Sequence, residues 1–169
     1  MMKNEKIIIS GPPGSGKTTI INELKKRGYT CLHEIGPINM QNIKIKQDKM
    51  LLSEFLFKKR KKQYDIIINK LAFYDRSIVD VIAYLDFWKQ EYPNKWNDVI
   101  NECRYSKNIF YTSNWQEIYK TTESRKENYT ESIKIDTILR KTYLKFNYNI
   151  IDVPKLNVTQ RVDFIIDKI

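Results

Sequence analysis

The chain has 169 residues, 41% of them hydrophobic, which is enough for one domain, residues 1–169, with a real core. No stretch approaches the ~18 apolar residues that cross a bilayer, and the two cysteines, Cys31 and Cys103, are far apart and form no metal-binding pattern, so a membrane-spanning chain and a cysteine metal module are excluded. Lys and Arg number 30 against 20 Asp and Glu, a net charge of +10, which suits an anionic partner: a nucleotide, or a nucleic acid or acidic lipid surface.

The first predicted element is the strand Lys6 to Ser10 in "EKIIISG", an apolar run bounded by polar residues. It starts so close to Met1 that no signal peptide fits before it, and a cytoplasmic location is expected. The strand runs into "GPPGSGKTT". Gly11, Gly16, Lys17 and Thr18 satisfy the G-x-x-x-x-G-K-[ST] pattern of a P-loop. The glycines let the backbone curl until successive N–H groups converge on phosphate oxygens, and they carry no Cβ to hold a phosphate off. Lys17 is expected to reach the β- and γ-phosphates, and the Thr18 hydroxyl to coordinate Mg²⁺. The run Gly11, Pro13, Gly14, Ser15, Gly16, Lys17, Thr18 and Thr19 is therefore assigned to ATP, with GTP as the alternative nucleotide. A helix follows from Lys17 to about Arg27, with Ile20, Ile21 and Leu24 at helical spacing and Gly28 as its stop. Its N-terminus, with unpaired N–H groups and the positive end of the macrodipole, would face the phosphates.

"YTCLHE", Tyr29 to Glu34, reads as a second strand, and "IGPIN" as a loop. Gln41 to Tyr64 suits a long helix with Met50, Leu51 and Phe55 facing inward, joined by Leu52 and Leu56. That helix contains the densest basic run, "KKRKK", Lys58 to Lys62. The run reads as a solvated helix face; a nucleic-acid or acidic-lipid contact there is the second reading and is not favoured. The third strand is Leu71 to Tyr74, closed by Asp75 and Arg76. Helices follow in "SIVDVIAYLDFWKQ" and "WNDVINECRY". The fourth strand is Asn108 to Ser113. A polar segment, about 114–131, then reads as a lid before a helix from Glu131 to Phe146. "YNIIDVP" is the fifth strand, and Asn157 opens the last helix with Gln160 three residues on. "NYT" at Asn128 and "NVT" at Asn157 match the glycosylation pattern by chance. Strands alternating with helices predict an α/β three-layer sandwich: a five-stranded parallel sheet with helices on both faces. In such sheets ligands sit at the carboxyl ends of the strands. The P-loop, Glu34, Asp75, Ser113 and the "DVPK" loop are all expected on that rim.

Three further segments carry chemistry. Asp75 ends an apolar strand, where a carboxylate can hold the Mg²⁺ shell, and Arg76 beside it can clamp a substrate oxygen with a forked hydrogen bond. Glu34 ends the second strand and can take the proton of an attacking hydroxyl; its neighbour His33 reads as structural. The lid contains Lys120, Arg125 and Lys126, and Arg125 is the choice for the extra positive charge that phosphoryl transfer needs. With "GPPGSGKTT", Glu34, "DRSIVD" from Asp75 to Asp80 and an Arg-bearing lid in this order, the chain resembles the small-molecule kinase branch of P-loop NTPases. It is similar in layout to deoxynucleoside and thymidylate kinases. More closely, it resembles small bacterial AAA-domain ATPases related to the nicotinamide riboside kinase domain, with Ser77 standing where that family has Gly. The resemblance implies that Glu34 is the base, that Asp75 and Arg76 bind substrate and the metal shell, and that Arg125 is a lid arginine. It also implies that the Val153–Lys155 loop, with Pro154 at its centre, packs against the nucleotide base. The expected function is ATP-dependent phosphoryl transfer, with Mg²⁺, to a nucleoside, nucleotide or similar ribosyl acceptor. The alternative is a nucleotide-dependent regulatory ATPase or GTPase acting with a nucleic-acid, lipid or protein partner. A guanine-specific "NKxD" motif is not provided by "NWQE" or "DVPK". Oligomeric state is not readable from any pattern.

Overall fold

Ile7, Ile8 and Ile9 are all buried, so β1 (Lys6–Ser10) has no solvent face and must lie inside a sheet covered on both sides. The computed structural model describes residues 5–36, 47–68, 70–120 and 127–169, and in it β1 pairs in parallel with β3 (Ala72–Asp75) on one side and β4 (Asn108–Tyr111) on the other. The strands β2 (Thr30–Leu32) and β5 (Asn149–Asp152) complete a five-stranded parallel sheet in the order β2-β3-β1-β4-β5. The helices are α1 (Lys17–Lys26), α2 (Lys49–Asp65), α3 (Ile78–Phe87), α4 (Lys95–Glu102), α5 (Tyr129–Lys145) and α6 (Val158–Ile166), with a short 3₁₀ turn at Gln116–Ile118. This is the expected α/β sandwich.

The alternation along β1 sorts the layers. Ile8 faces the side covered by α2 to α5, packing among Leu52, Ile78, Ile82, Ile100 and Leu139. Ile7 and Ile9 face the other side, where α1 and α6 bring Ile20, Ile21, Leu24, Val162 and Ile165. Each fully buried Ile or Leu contributes about 1.5–3 kcal/mol.

Capping residues set the helix starts. Ser77 and Asp80 form a capping box at α3, as Asn128 and Glu131 do at α5. Asn157 accepts a hydrogen bond from the Gln160 N–H at α6. The two glycosylation-like triplets are thus helix starts, which explains why Asn stands at both.

Two sequence expectations need correction. Leu51 does not face the core and is 44% exposed. The inward row of α2 is Leu52, Leu56 and Arg60, with Ser53 and Phe57 beside it, and Met50 and Phe55 are only partly buried against the core. The stripe lies about 100° further round the helix than the apolar residues alone suggest, because a buried arginine belongs to it. Arg60 is also the centre of "KKRKK". It donates to the Ser77 and Ile35 carbonyls, so the run is not a uniform basic face. Lys61 pairs with Asp65, leaving Lys58, Lys59 and Lys62 exposed. The stretch 41–46 of the expected long helix lies outside the described residues.

Register aligns the strand ends. Ile9 pairs with Asp75, Ser10 with Tyr111 and Tyr111 with Asp152. The segments leaving these strands therefore open on one rim, where β1 leads to α1 on one face and β3 and β4 lead to α3 and α5 on the other.

Candidate active site

The loop after β1 is shaped by backbone that only glycine adopts cheaply. Gly11, Gly14 and Gly16 have φ of 149°, 76° and 85°. A Cβ on Gly11 would lie 2.2 Å from the Thr112 carbonyl oxygen, so this loop and the segment after β4 touch. The Ser15 and Thr112 hydroxyls share a 2.6 Å hydrogen bond across the same contact. Gly16 caps α1 without a side-chain hydrogen bond, and the first turn of α1 holds no acidic residue. The amino end of α1 thus presents N–H groups without side-chain caps, the kind of donors that bind anions.

Lys17 is buried and folds back over the loop. Its Nζ donates to the Pro12 carbonyl at 2.7 Å and lies 3.4 Å from Ser15 Oγ. Burial, reinforced by Arg76, lowers its pKa to about 7 against the pull of Asp75, Glu34 and Asp80. A phosphate would supply the missing counter-charge. Thr18 and Thr19 are exposed at the helix start.

Asp75 ends β3 and is 1% exposed. Its Oδ2 accepts from Thr18 Oγ1 at 3.4 Å, and its Oδ1 has no partner. Burial, then Glu34, raises its pKa. A hydroxyl and a buried carboxylate with a free oxygen are hard oxygen donors, and this pair fits Mg²⁺. Among the described residues no cluster of three or more His, Cys, Asp or Glu could form a metal cage. An ion held here would need phosphate and water to complete its shell.

Arg76 follows with φ 69°, uncommon for a residue with a Cβ. Its backbone N–H is fixed on the Ile9 carbonyl. Its guanidinium is 95% buried and spans three elements: Nε donates to Glu34 Oε1 at 2.7 Å, and Nη1 to the Gly11 carbonyl at 3.1 Å and to Asp80 Oδ1 at 3.2 Å. Burial opposes its charge, but Tyr84, Glu34, Asp80 and Asp75 together raise its pKa. Arg76 is thus a strut between the phosphate loop and Glu34, with Nε and Nη1 already engaged by the protein.

Glu34 lies two residues beyond β2 with its side chain 36% exposed. Arg60 Nη2 stands 3.9 Å from the same Oε1 that Arg76 holds. Burial raises its pKa, but Arg76, Lys17 and Arg60 outweigh that and hold the carboxyl below its usual range. Among the described residues His33 contributes its carbonyl, which accepts from Gln63. Pro154 is half-buried, two residues past β5, where Val153 N–H donates to the Tyr111 carbonyl. Lys17, Thr18, Glu34, Asp75 and Arg76 thus form one cluster. Arg125 and Lys126 lie outside the described residues, as does 121–126 of the lid.

Two supports escaped the sequence reading. Asp80 is fully buried and accepts hydrogen bonds from Ser10, Arg76, Ser77 and Tyr143, and Arg60 bridges α2 to the segments around Ile35 and Ser77. The spacing Asp75-Arg76-x-x-x-Asp80 is the signal that finds the first, since one helical turn brings Asp80 back under Arg76.

A family model described as an AAA domain matches residues 6–161. A search of curated proteins finds no match. Among solved structures, the fold is similar to deoxyadenosine kinase from M. mycoides with bound dATP: TM-score 0.73, 18% identity, 98% of each chain covered. It is also similar to thymidylate kinase from Ehrlichia chaffeensis, with TM-score 0.61, 14% identity and 98% of each chain covered. The YorR protein of Bacillus subtilis, in complex with phosphorylated GDP, matches with TM-score 0.64 and 15% identity over 96% of this chain and 94% of that one.

Proposed function

The chain belongs to this AAA-domain family of P-loop proteins, and on that footing we propose that it transfers the γ-phosphoryl group of ATP to a nucleoside, nucleotide or ribosyl acceptor, with GTP as the alternative donor. The observation that carries the reading is the Glu34–Arg76–Gly11 linkage: a partly exposed carboxylate tied at 2.7 Å to an arginine that grips the phosphate loop itself. An acid fixed to the loop in this way is placed to meet an acceptor brought to the γ-phosphate. The kinase names carried by the similar folds agree with that class of chemistry.

The donor's phosphates would lie at the amino end of α1, with Lys17 swinging from the Pro12 carbonyl onto them. Thr18 and Asp75 would hold Mg²⁺, which when bound neutralises the charge on the β- and γ-oxygens. Glu34 would accept the hydrogen bond of the acceptor hydroxyl. As the new O–P bond forms, the hydroxyl proton passes to the Glu34 carboxylate, and the bond from the γ-phosphorus to the bridging oxygen breaks to release the nucleoside diphosphate. A carboxylate held below its usual pKa is a weak base. A loose transition state asks for positioning and charge stabilisation more than for a strong base. Arg125 would add positive charge from the lid, and Pro154 would flank the base.

The regulatory-ATPase alternative draws its partner from the basic run, and Arg60 at its centre is committed to structure. The test incubates the protein with Mg²⁺ and ATP or GTP against nucleosides, nucleoside monophosphates and nicotinamide riboside, reading products by mass. One acceptor should gain a single phosphate and speed the loss of the donor. Slow hydrolysis without a phosphorylated acceptor, accelerated only by a protein, nucleic acid or lipid, would overturn the reading.

A further inference from the structure

Arg161 stands on α6, in the layer shared with α1, and is 6% exposed. Its Nε and Nη1 have no hydrogen-bond partner. Among the described residues no carboxylate pairs with it, and burial lowers its pKa. The acid two residues along the helix, Asp163, is committed to Arg27 at 2.5 Å. A buried cation with two unpartnered N–H groups costs stability, and a bound anion would offset that cost.

Its position says which ligand. A Cβ built on Gly16 would meet Arg161 Nη1 at 2.7 Å, Arg161 Nη2 at 3.5 Å and Ile118 Cδ1 at 3.3 Å. The guanidinium therefore lies against the glycine whose bare Cα opens the loop to phosphate. One further contact restricts its chemistry. The guanidinium carbon lies 5.5 Å from the centre of the Trp115 ring, within cation–π range. The ring attracts the cation without using its hydrogen bonds, so the unpartnered N–H groups remain, and these suit phosphate oxygens.

The geometry points to Arg161 as a further nucleotide-binding residue, a cation supplied by the last helix to the phosphate chain of a nucleotide held in the loop. The inference rests on the nucleotide-binding reading of that loop and extends it to α6, with Trp115 as the plate that orients the guanidinium. Arg161 binds; it takes no part in bond making. Its two unpartnered N–H groups are a stability cost carried for affinity.

The test measures affinity by calorimetry for ADP and for inorganic pyrophosphate in wild type, R161M and R161K. R161M keeps an apolar stem against Trp115 and removes the charge. It should weaken both ligands by about 10–100-fold, the loss expected for a charge-assisted hydrogen bond. R161K should recover part of that. In the absence of nucleotide, R161M should melt at or above the wild-type temperature, a result that no merely structural arginine gives. Unchanged affinity in R161M would overturn the proposal. So would a loss confined to ADP with pyrophosphate unaffected, which would assign Arg161 to the base or sugar. Should R161M fail to fold, Arg161 is a structural residue and the proposal falls with it. A wild-type protein that binds neither ligand would refute the phosphate-loop reading itself, and this inference with it.

Discussion

Asp80→Asn is the change whose cost follows most directly from the geometry. The carboxylate is fully buried, and every partner donates to it: Ser10 Oγ at 2.7 Å, Arg76 Nη1 at 3.2 Å, the Ser77 N–H at 2.8 Å and the Tyr143 hydroxyl. An amide keeps one accepting oxygen and turns an NH₂ toward donors on the other side. The hydroxyls of Ser10 and Tyr143 can rotate; the Ser77 N–H and the Arg76 guanidinium cannot turn into acceptors. Removing one partner of a buried ion pair costs about 3–5 kcal/mol. Glu34 still holds Arg76 Nε, so the lower end, about 3 kcal/mol, is expected, a fall in melting temperature of about 6–12 °C for a chain of this size. Urea unfolding of wild type and D80N would measure it. D163N, which breaks the surface pair with Arg27, is the control and should leave the urea midpoint close to wild type. Burial raises the Asp80 pKa, but Arg76, Arg60 and the hydrogen bonds from Tyr143 and Ser10 outweigh it and hold the pKa low. A depressed acid contributes stability above its unfolded pKa and loses it as pH falls through the folded value. The gap between wild type and D80N should therefore be steady from about pH 5 to 8 and close only in acid below about pH 4. A D80N loss under about 1 kcal/mol would refute the view that Asp80 anchors the Arg76 strut.

Three other outcomes are expected. With Lys17 at about 7 in the nucleotide-free protein, a bound phosphate should raise its pKa, so ADP binding near pH 8.5 should take up about one proton and weaken as pH rises from about 7 to 9; calorimetry in two buffers reads the uptake. D75N removes a buried carboxylate with an unpartnered oxygen, so the nucleotide-free protein should be at least as stable, while the gain in ATP affinity on adding Mg²⁺ should fall by about tenfold or more in a magnesium titration. The triple change K58Q/K59Q/K62Q should leave stability within about 1.5 kcal/mol of wild type, whereas R60M should cost more than about 2 kcal/mol by taking away the donors that Ser77 and Ile35 use.

The phosphate loop was legible because its chemistry is backbone chemistry. Gly11, Gly14 and Gly16 must stand at fixed offsets for the chain to curl, and the apolar run before them and the helical spacing after them are local patterns. Asp75 was legible for a similar reason: a carboxylate closing an apolar strand can only emerge at a sheet rim. Glu34 and Arg76 were placed on that rim by topology, but the bond between them was not visible, since it joins residues 42 apart in sequence. Arg60 and Arg161 were missed outright. Each looks like an ordinary charged residue on a helix, and burial of a charge is set by what packs over it. The same fact shifted the inward stripe of α2: a hydrophobic count favours Leu51, and the fold favours the row containing Arg60.

In the proposed reaction a phosphoryl group moves from a nucleotide on the loop to an acceptor presented to Glu34. The most direct measurement is single-turnover transfer from γ-labelled donor to the best acceptor of the panel, in wild type and E34Q, with donor affinity measured on both. The expected result is labelled acceptor with wild type, a loss of about 10²–10⁴-fold in E34Q, and donor affinity within about threefold between the two. Transfer by E34Q at the wild-type rate, or label recovered only as inorganic phosphate with wild type, would contradict it.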